Sequence, residues 1–132
     1  FIDYLTRSTE GVKVQHSSKL RDFYIHEAIE FIEHNFQNDI SVEDIADVCR
    51  LNRSYFGKIF KDALGKSPQE FLLSYRMVKA AELLKLTKLS VGDISSAVGY
   101  DNQLHFSRAF KNIYGISPKK WRTEQLLGGS DG

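Results

Sequence analysis

Two stretches of this 132-residue chain carry polar and basic side chains at spacings that place them on one side of a helix. The first holds Arg53, Ser54, Gly57, Lys58 and Lys61; about fifty residues later come Gln103, Leu104, Ser107, Arg108 and Lys111. Apolar residues fill the complementary positions, Phe56, Ile59, Phe60 and Ala63 in one and Phe106, Ala109, Phe110 and Ile113 in the other. A helix packed by such a seam presents cations and hydrogen-bonding groups on its free side, which suits a polyanion and the base edges of a DNA major groove. Catalytic chemistry has no comparable foothold. There is no glycine-rich phosphate loop, no close serine–histidine pairing and no carboxylate cluster on one helix face. Cys49 is the lone cysteine, and His16, His26, His34 and His105 lack the paired spacing of metal ligands. Neither an enzyme nor a metal or cofactor site is expected.

The elements that must position these side chains read as helices. At 42% hydrophobic and 27% charged, with two prolines and nine glycines, the composition is that of a soluble all-α protein. No apolar run is long enough for a membrane span and the start is unlike a signal peptide, so a cytoplasmic location with no membrane partner is expected. Phe1 is not a start methionine, which points to a piece of a longer polypeptide. Residues 1–19 have no sustained period and read as a linker or the tail of a preceding domain. From Leu20 the apolar residues Phe23, Tyr24, Ala28, Ile29, Ile32 and Phe36 recur at threes and fours, predicting a helix to about Asn35.

Ser41 with Asp44 then opens a short helix whose apolar side is Val42, Ile45, Ala46 and Cys49. After a turn over residues 50–52 comes a third helix, with Tyr55 also counted among its apolar residues and Gly65 as its end. Ser67-Pro68-Gln69-Glu70 starts a long helix to about Leu86, with a stripe of Phe71, Leu72, Tyr75, Val78, Ala81 and Leu84. Ser90 with Asp93 repeats the cap, and Val91, Ile94, Ala97 and Val98 repeat the apolar side.

The chain has started over. Ser41-Val42-x-Asp44-Ile45 meets Ser90-Val91-x-Asp93-Ile94 at an offset of 49, and Phe56-x-Lys58-x-Phe60-Lys61 meets Phe106-x-Arg108-x-Phe110-Lys111 at 50. The extra residue falls in the turn. Gly65-Lys66-Ser67-Pro68 matches Gly115-Ile116-Ser117-Pro118, and Phe71 matches Trp121. A duplicated helix-turn-helix is the simplest account. Charge follows the same division: residues 1–40 carry a net −3 and residues 41–125 a net +5. The 19-residue helix between the copies spans roughly 28 Å, which suits two readers about one DNA turn, roughly 34 Å, apart.

The stretches SVEDIADVCRLNRSYFGKIFKDALGKSPQEFLLSYRMVKAAELL and SVGDISSAVGYDNQLHFSRAFKNIYGISPKKWR closely resemble the DNA-binding domain of AraC/XylS-family bacterial transcription regulators. Asp93-Ile94, Gly99-Tyr100, Phe106-Ser107-Arg108, Phe110-Lys111, Gly115, Ser117-Pro118 and Arg122 carry the more specific part. The resemblance covers roughly Leu20 to Arg122. It implies seven helices in two helix-turn-helix subdomains joined by a long linking helix, and the divisions 1–19, 20–67, 68–88, 89–125 and a flexible tail 126–132. It implies double-stranded DNA as partner, regulation of transcription with RNA polymerase as a further partner, and an effector or dimerisation domain on the preceding part. By position in the family pattern, Ser54, Gly57 and Lys58 would read bases in copy one, with Arg53 near the sugar–phosphate chain. Gly57 departs from the pattern, because it has no side chain to offer. In copy two Gln103, Leu104, Ser107 and Arg108 hold these places: Arg108 can fork onto guanine O6 and N7, Gln103 onto adenine N6 and N7, and Leu104 can touch a thymine methyl.

Blander readings stand beside these. Arg108 and Lys58 can be ordinary surface cations; Lys61 and Lys111 read as solvated. Arg76 either faces DNA or pairs with a carboxylate. Phe71 and Trp121 read as core, His105 as packed or surface, and Cys49 as a buried, inert thiol, since it aligns with the apolar Val98. The acidic Glu27, Glu30 and Glu33 offer the alternative function, a module contacting RNA polymerase or a sensor domain with DNA binding secondary.

Overall fold

The computed structural model describes the backbone of residues 10–131 and the side chains of residues 19–128. Among the described residues there are seven helices and no strand: α1 (Glu10–Asn35), α2 (Val42–Val48), α3 (Arg53–Leu64), α4 (Pro68–Leu86), α5 (Val91–Ala97), α6 (Gln103–Tyr114) and α7 (Pro118–Asp131). The all-α, seven-helix expectation holds. No helix among the described residues is long and apolar enough to cross a membrane.

Both terminal helices exceed the apolar pattern. α1 reaches back to Glu10, through residues read as a linker, and α7 runs on through Gly128 to Asp131. An established helix adds one backbone hydrogen bond for each residue it fixes, so it extends without a packing stripe. Apolar period reports which side packs, and only indirectly where the helix stops. Residues 1–9 of the expected linker lie outside the described residues.

The chain divides into two compact units. The first joins α1 as far as Glu33 to Val42–Pro68, hence to α2 and α3. Its buried apolar residues are Ile25, Ala28 and Ile32 on α1, Ile45, Ala46 and Cys49 on and after α2, and Phe56, Ile59 and Phe60 on α3. Phe56 and Phe60, with ring centroids 5.5 Å apart, are fully enclosed. Phe23, placed on the buried side by spacing, is exposed; Ile25 takes the interior instead.

The second unit comprises His34–Ser41 and the chain from Gln69 onward. Met77, Ala80, Ala81 and Leu84 of α4 pack with Ile94 and Val98 of the α5 region and Phe106 and Phe110 of α6, with Phe36, Tyr100, Tyr114 and Trp121 at the margin. Trp121 is thus core-forming, its ring edge-on to Phe110 at 5.8 Å, and Phe71 stacks on Tyr75 at 6.5 Å. Met77 replaces Val78 in the stripe, Val78 being 50% exposed. Both residues are apolar and adjacent, so threes-and-fours spacing fits either one. Ala97 is likewise exposed rather than inward.

Two arginines fasten helix ends in this unit. Arg76 donates from Nε to the Phe36 carbonyl and from Nη2 to the Asn38 carbonyl, both at 2.9 Å, just past the end of α1. Its guanidinium lies 5.9 Å from the Tyr100 ring centroid. Burial pushes its pKa down, with Tyr100 and Asp39 acting in the opposite sense. Its Nε and Nη2 donors thus serve backbone carbonyls, while the Asp39 carboxylate favours its charged form. Arg122 does the same for α4, donating from Nε to the Leu84 carbonyl at 2.9 Å and from Nη2 to that of Thr87 at 3.4 Å. Helix C-termini leave carbonyls unpaired and partially negative, which is where a cationic donor stabilises most.

Candidate nucleic-acid interface

Each helix-turn-helix is built from the same local parts. After α2 the chain reverses through Arg50 at φ 58°, a left-handed conformation few side chains adopt. The equivalent residue after α5 is Gly99, at φ 94°. Here glycine is required twice over, since a Cβ would also meet the Phe36 carbonyl oxygen at 2.7 Å. Asn52 then caps α3, its side chain accepting the Tyr55 N–H at 2.8 Å. Asn102 caps α6, accepting from Leu104 at 2.8 Å and His105 at 3.1 Å. Ser90 caps α5 as expected, accepting the Asp93 N–H at 3.0 Å. The asparagine caps escaped the sequence reading, although they sit at the repeat's own offset of 50. At the far ends Gly65 and Gly115 stop α3 and α6, their N–H groups bonding to the carbonyls of Lys61 and Lys111.

With Phe56, Ile59 and Phe60 buried, the other side of α3 faces outward. Arg53, Ser54, Lys58 and Lys61 are exposed, and Gly57 is half-buried, with nothing but its chain neighbours and its own helix backbone within 4 Å of where a Cβ would stand. On α6 only Phe106 and Phe110 are buried. Gln103, Arg108 and Lys111 are exposed, Leu104 is 57% exposed, Ser107 is half-buried and His105 lies at the surface. Each set of expected readers therefore shares one side of one helix, free of the core. Tyr55, Ala63 and Ile113 were expected to be apolar and packed but are exposed. Ala63 and Ile113 lie on the apolar side by angle but in the last turn, where the seam has run out.

The first helix residue lies close to a residue of the preceding helix in each copy. Arg53 Nη1 lies 3.9 Å from Glu43 Oε1 of α2, both side chains being well exposed. On α6, Gln103 Oε1 lies over Gly92 of α5, 2.9 Å from where a Cβ would be. Neither contact was legible in the sequence.

Cys49 is buried, with Sγ 3.4 Å from the Tyr24 carbonyl oxygen. Burial raises its pKa, and the charge of Glu27 adds to the rise. A thiol so placed holds its proton and is a poor nucleophile.

A family profile described as a helix-turn-helix domain matches residues 45–124. The Msm operon regulatory protein of Streptococcus mutans is 37% identical over 111 residues, 84% of this chain and 40% of that protein. The lactose operon transcription activator of Staphylococcus xylosus is 42% identical over 98 residues, 74% of this chain and 35% of that protein. Among solved structures, a transcriptional regulator of the AraC-type DNA-binding-domain class from Chromobacterium violaceum is 30% identical, with a TM-score of 0.73 over 79% of this chain and 93% of that one. The chain belongs to the AraC/XylS family. The match runs from Ile45, an anchor of α2, to Glu124 in α7, so it takes in both copies of this AraC/XylS helix-turn-helix. The chain spans two fifths or less of the length of the two curated AraC/XylS relatives named above.

Proposed function

We propose that this chain binds specific double-stranded DNA through α3 and α6 in adjacent major-groove segments, and that it thereby regulates transcription in the cytoplasm. The observation that carries the reading is the twice-built helix with a buried phenylalanine pair behind and a polar, basic side in front. In copy two Arg108 forks onto guanine, Gln103 pairs with adenine, Leu104 meets a thymine methyl and Ser107 donates at a base edge. In copy one Ser54 and Lys58 reach base edges, Gly57 admits the backbone close to the groove, and Arg53 holds the sugar–phosphate chain. The chain acts by binding and does no chemistry of its own. RNA polymerase is its protein partner, and the effector or dimerisation domain belongs to the further length seen in its relatives.

Selection of random duplex DNA on the purified chain tests this. The expected result is two short blocks about 10 base pairs apart, centre to centre. A folded chain that enriches no sequence would overturn the reading and move weight to the acidic side of α1 as a protein contact.

A further inference from the structure

Glu43 and Gly92 occupy the second position of α2 and of α5, and Arg53 and Gln103 the first position of α3 and of α6. The repeat makes these one pair of sites seen twice, and in both copies the pair is in contact. In copy one the contact is a charge pair at 3.9 Å. In copy two it is space: the Gln103 carboxamide fills the position that any side chain at 92 would take, its Oε1 2.9 Å from the site of a Cβ and Ser90 Oγ 3.8 Å from it.

We infer that the second residue of α2 and of α5 sets where the first side chain of the following helix points, and so tunes affinity in copy one and determines base specificity in copy two. Glu43 draws Arg53 back from a phosphate; Gly92 lets Gln103 lie over α5, which fixes the angle at which its amide meets a base edge. The inference deepens the DNA reading above and rests on it. The physical logic differs between copies, and so do the consequences. An exposed ion pair is a weak tether, so Glu43 adjusts affinity for every sequence modestly. A carboxamide displaced by a methyl changes direction outright, so Gly92 governs preference at a single base pair.

Two substitutions separate these effects. Glu43→Gln keeps the size and removes the charge, freeing Arg53 for a phosphate; affinity should rise a few-fold for all sequences and the log–log salt slope should steepen by about one. Because loss of any acidic residue near DNA also weakens repulsion, the same change is made beside Arg53→Gln, where the steepening should vanish. Gly92→Ala should not lower the thermal unfolding midpoint, because the atom that must move is the end of a flexible side chain and alanine is the better helix former. It should shift the Gln103 side-chain amide resonances of the free chain and change base preference at the Gln103 contact about fivefold or more. Beside Gln103→Ala it should do nothing further.

If Gly92→Ala leaves that preference within twofold while Gln103→Ala alters it, the inference is wrong and the DNA reading stands. If the salt slope steepens equally without Arg53, the tether is wrong. If the unaltered chain enriches no DNA sequence, the DNA reading itself fails and takes the inference with it.

Discussion

Replacing Arg108 by alanine should weaken binding to the selected site by about 1–3 kcal/mol and relax preference at one base pair, measured by titrating the site and its single-base variants. An equal loss on every sequence would instead make Arg108 a phosphate clamp. Gly57 stands at the opposite extreme. Its missing side chain would meet nothing within 4 Å beyond its chain neighbours and its own helix backbone, so Gly57→Ala should stabilise the fold by roughly 0.5–1 kcal/mol through helix propensity alone, read as a rise in unfolding midpoint. At this scale the outward residues were legible by subtraction: once the phenylalanines at 56, 60, 106 and 110 claim the interior, the free side of each helix follows from 3.6-residue geometry. Glu43, Gly92 and Arg76 were not, because the partner of each lies on another element, and period within one helix says nothing about that.

The helices and their ends test a different kind of prediction. The two turns solve one backbone problem with different residues, so they should respond oppositely to exchange. Gly99→Ala forces a Cβ against the Phe36 carbonyl oxygen in a left-handed conformation, and should cost about 2 kcal/mol or more in chemical denaturation. Arg50→Gly relieves the same conformation but loosens the unfolded chain, and should be neutral to within about 1 kcal/mol. Arg122→Ala should cost about 1–2 kcal/mol, since the Leu84 and Thr87 carbonyls lose their donor. The starts of α4 and α5 were readable from Pro68 and Ser90, and the ends of α3 and α6 from glycine. The caps Asn52 and Asn102 are not legible in sequence, because asparagine belongs equally to turns. The outer reaches of α1 and α7 carry no apolar stripe and gave spacing nothing to register.

For the molecule as a whole, charge and titration matter most. With the basic excess gathered in residues 41–125, binding to any DNA should fall steeply with salt, at a slope of about −0.9 for each phosphate engaged. Alkali should destabilise the chain. Burial holds the protons of Cys49, Tyr100 and Tyr114 above their ordinary values of 9.0 for the thiol and 10.0 for the phenols, opposed at Tyr100 by Arg76 and reinforced at Tyr114 by Glu82 and at Cys49 by Glu27. Once pH exceeds those ordinary values the unfolded chain releases protons that the fold still keeps. Stability is therefore fully present below about pH 9 and declines as pH rises toward the raised values. Denaturant titrations from pH 8 upward should show the decline, and Tyr114→Phe should flatten it.

The buried thiol also supplies a clock. Since Cys49 is the lone cysteine and is buried in the first unit beside a surface pocket, a thiol reagent reacts faster when that unit breathes open. The labelling rate, divided by the rate for the denatured chain, gives an upper bound on the opening equilibrium of the first unit. Adding the selected DNA to the same assay would report how far binding at the first copy slows that breathing, with no probe introduced and no residue changed.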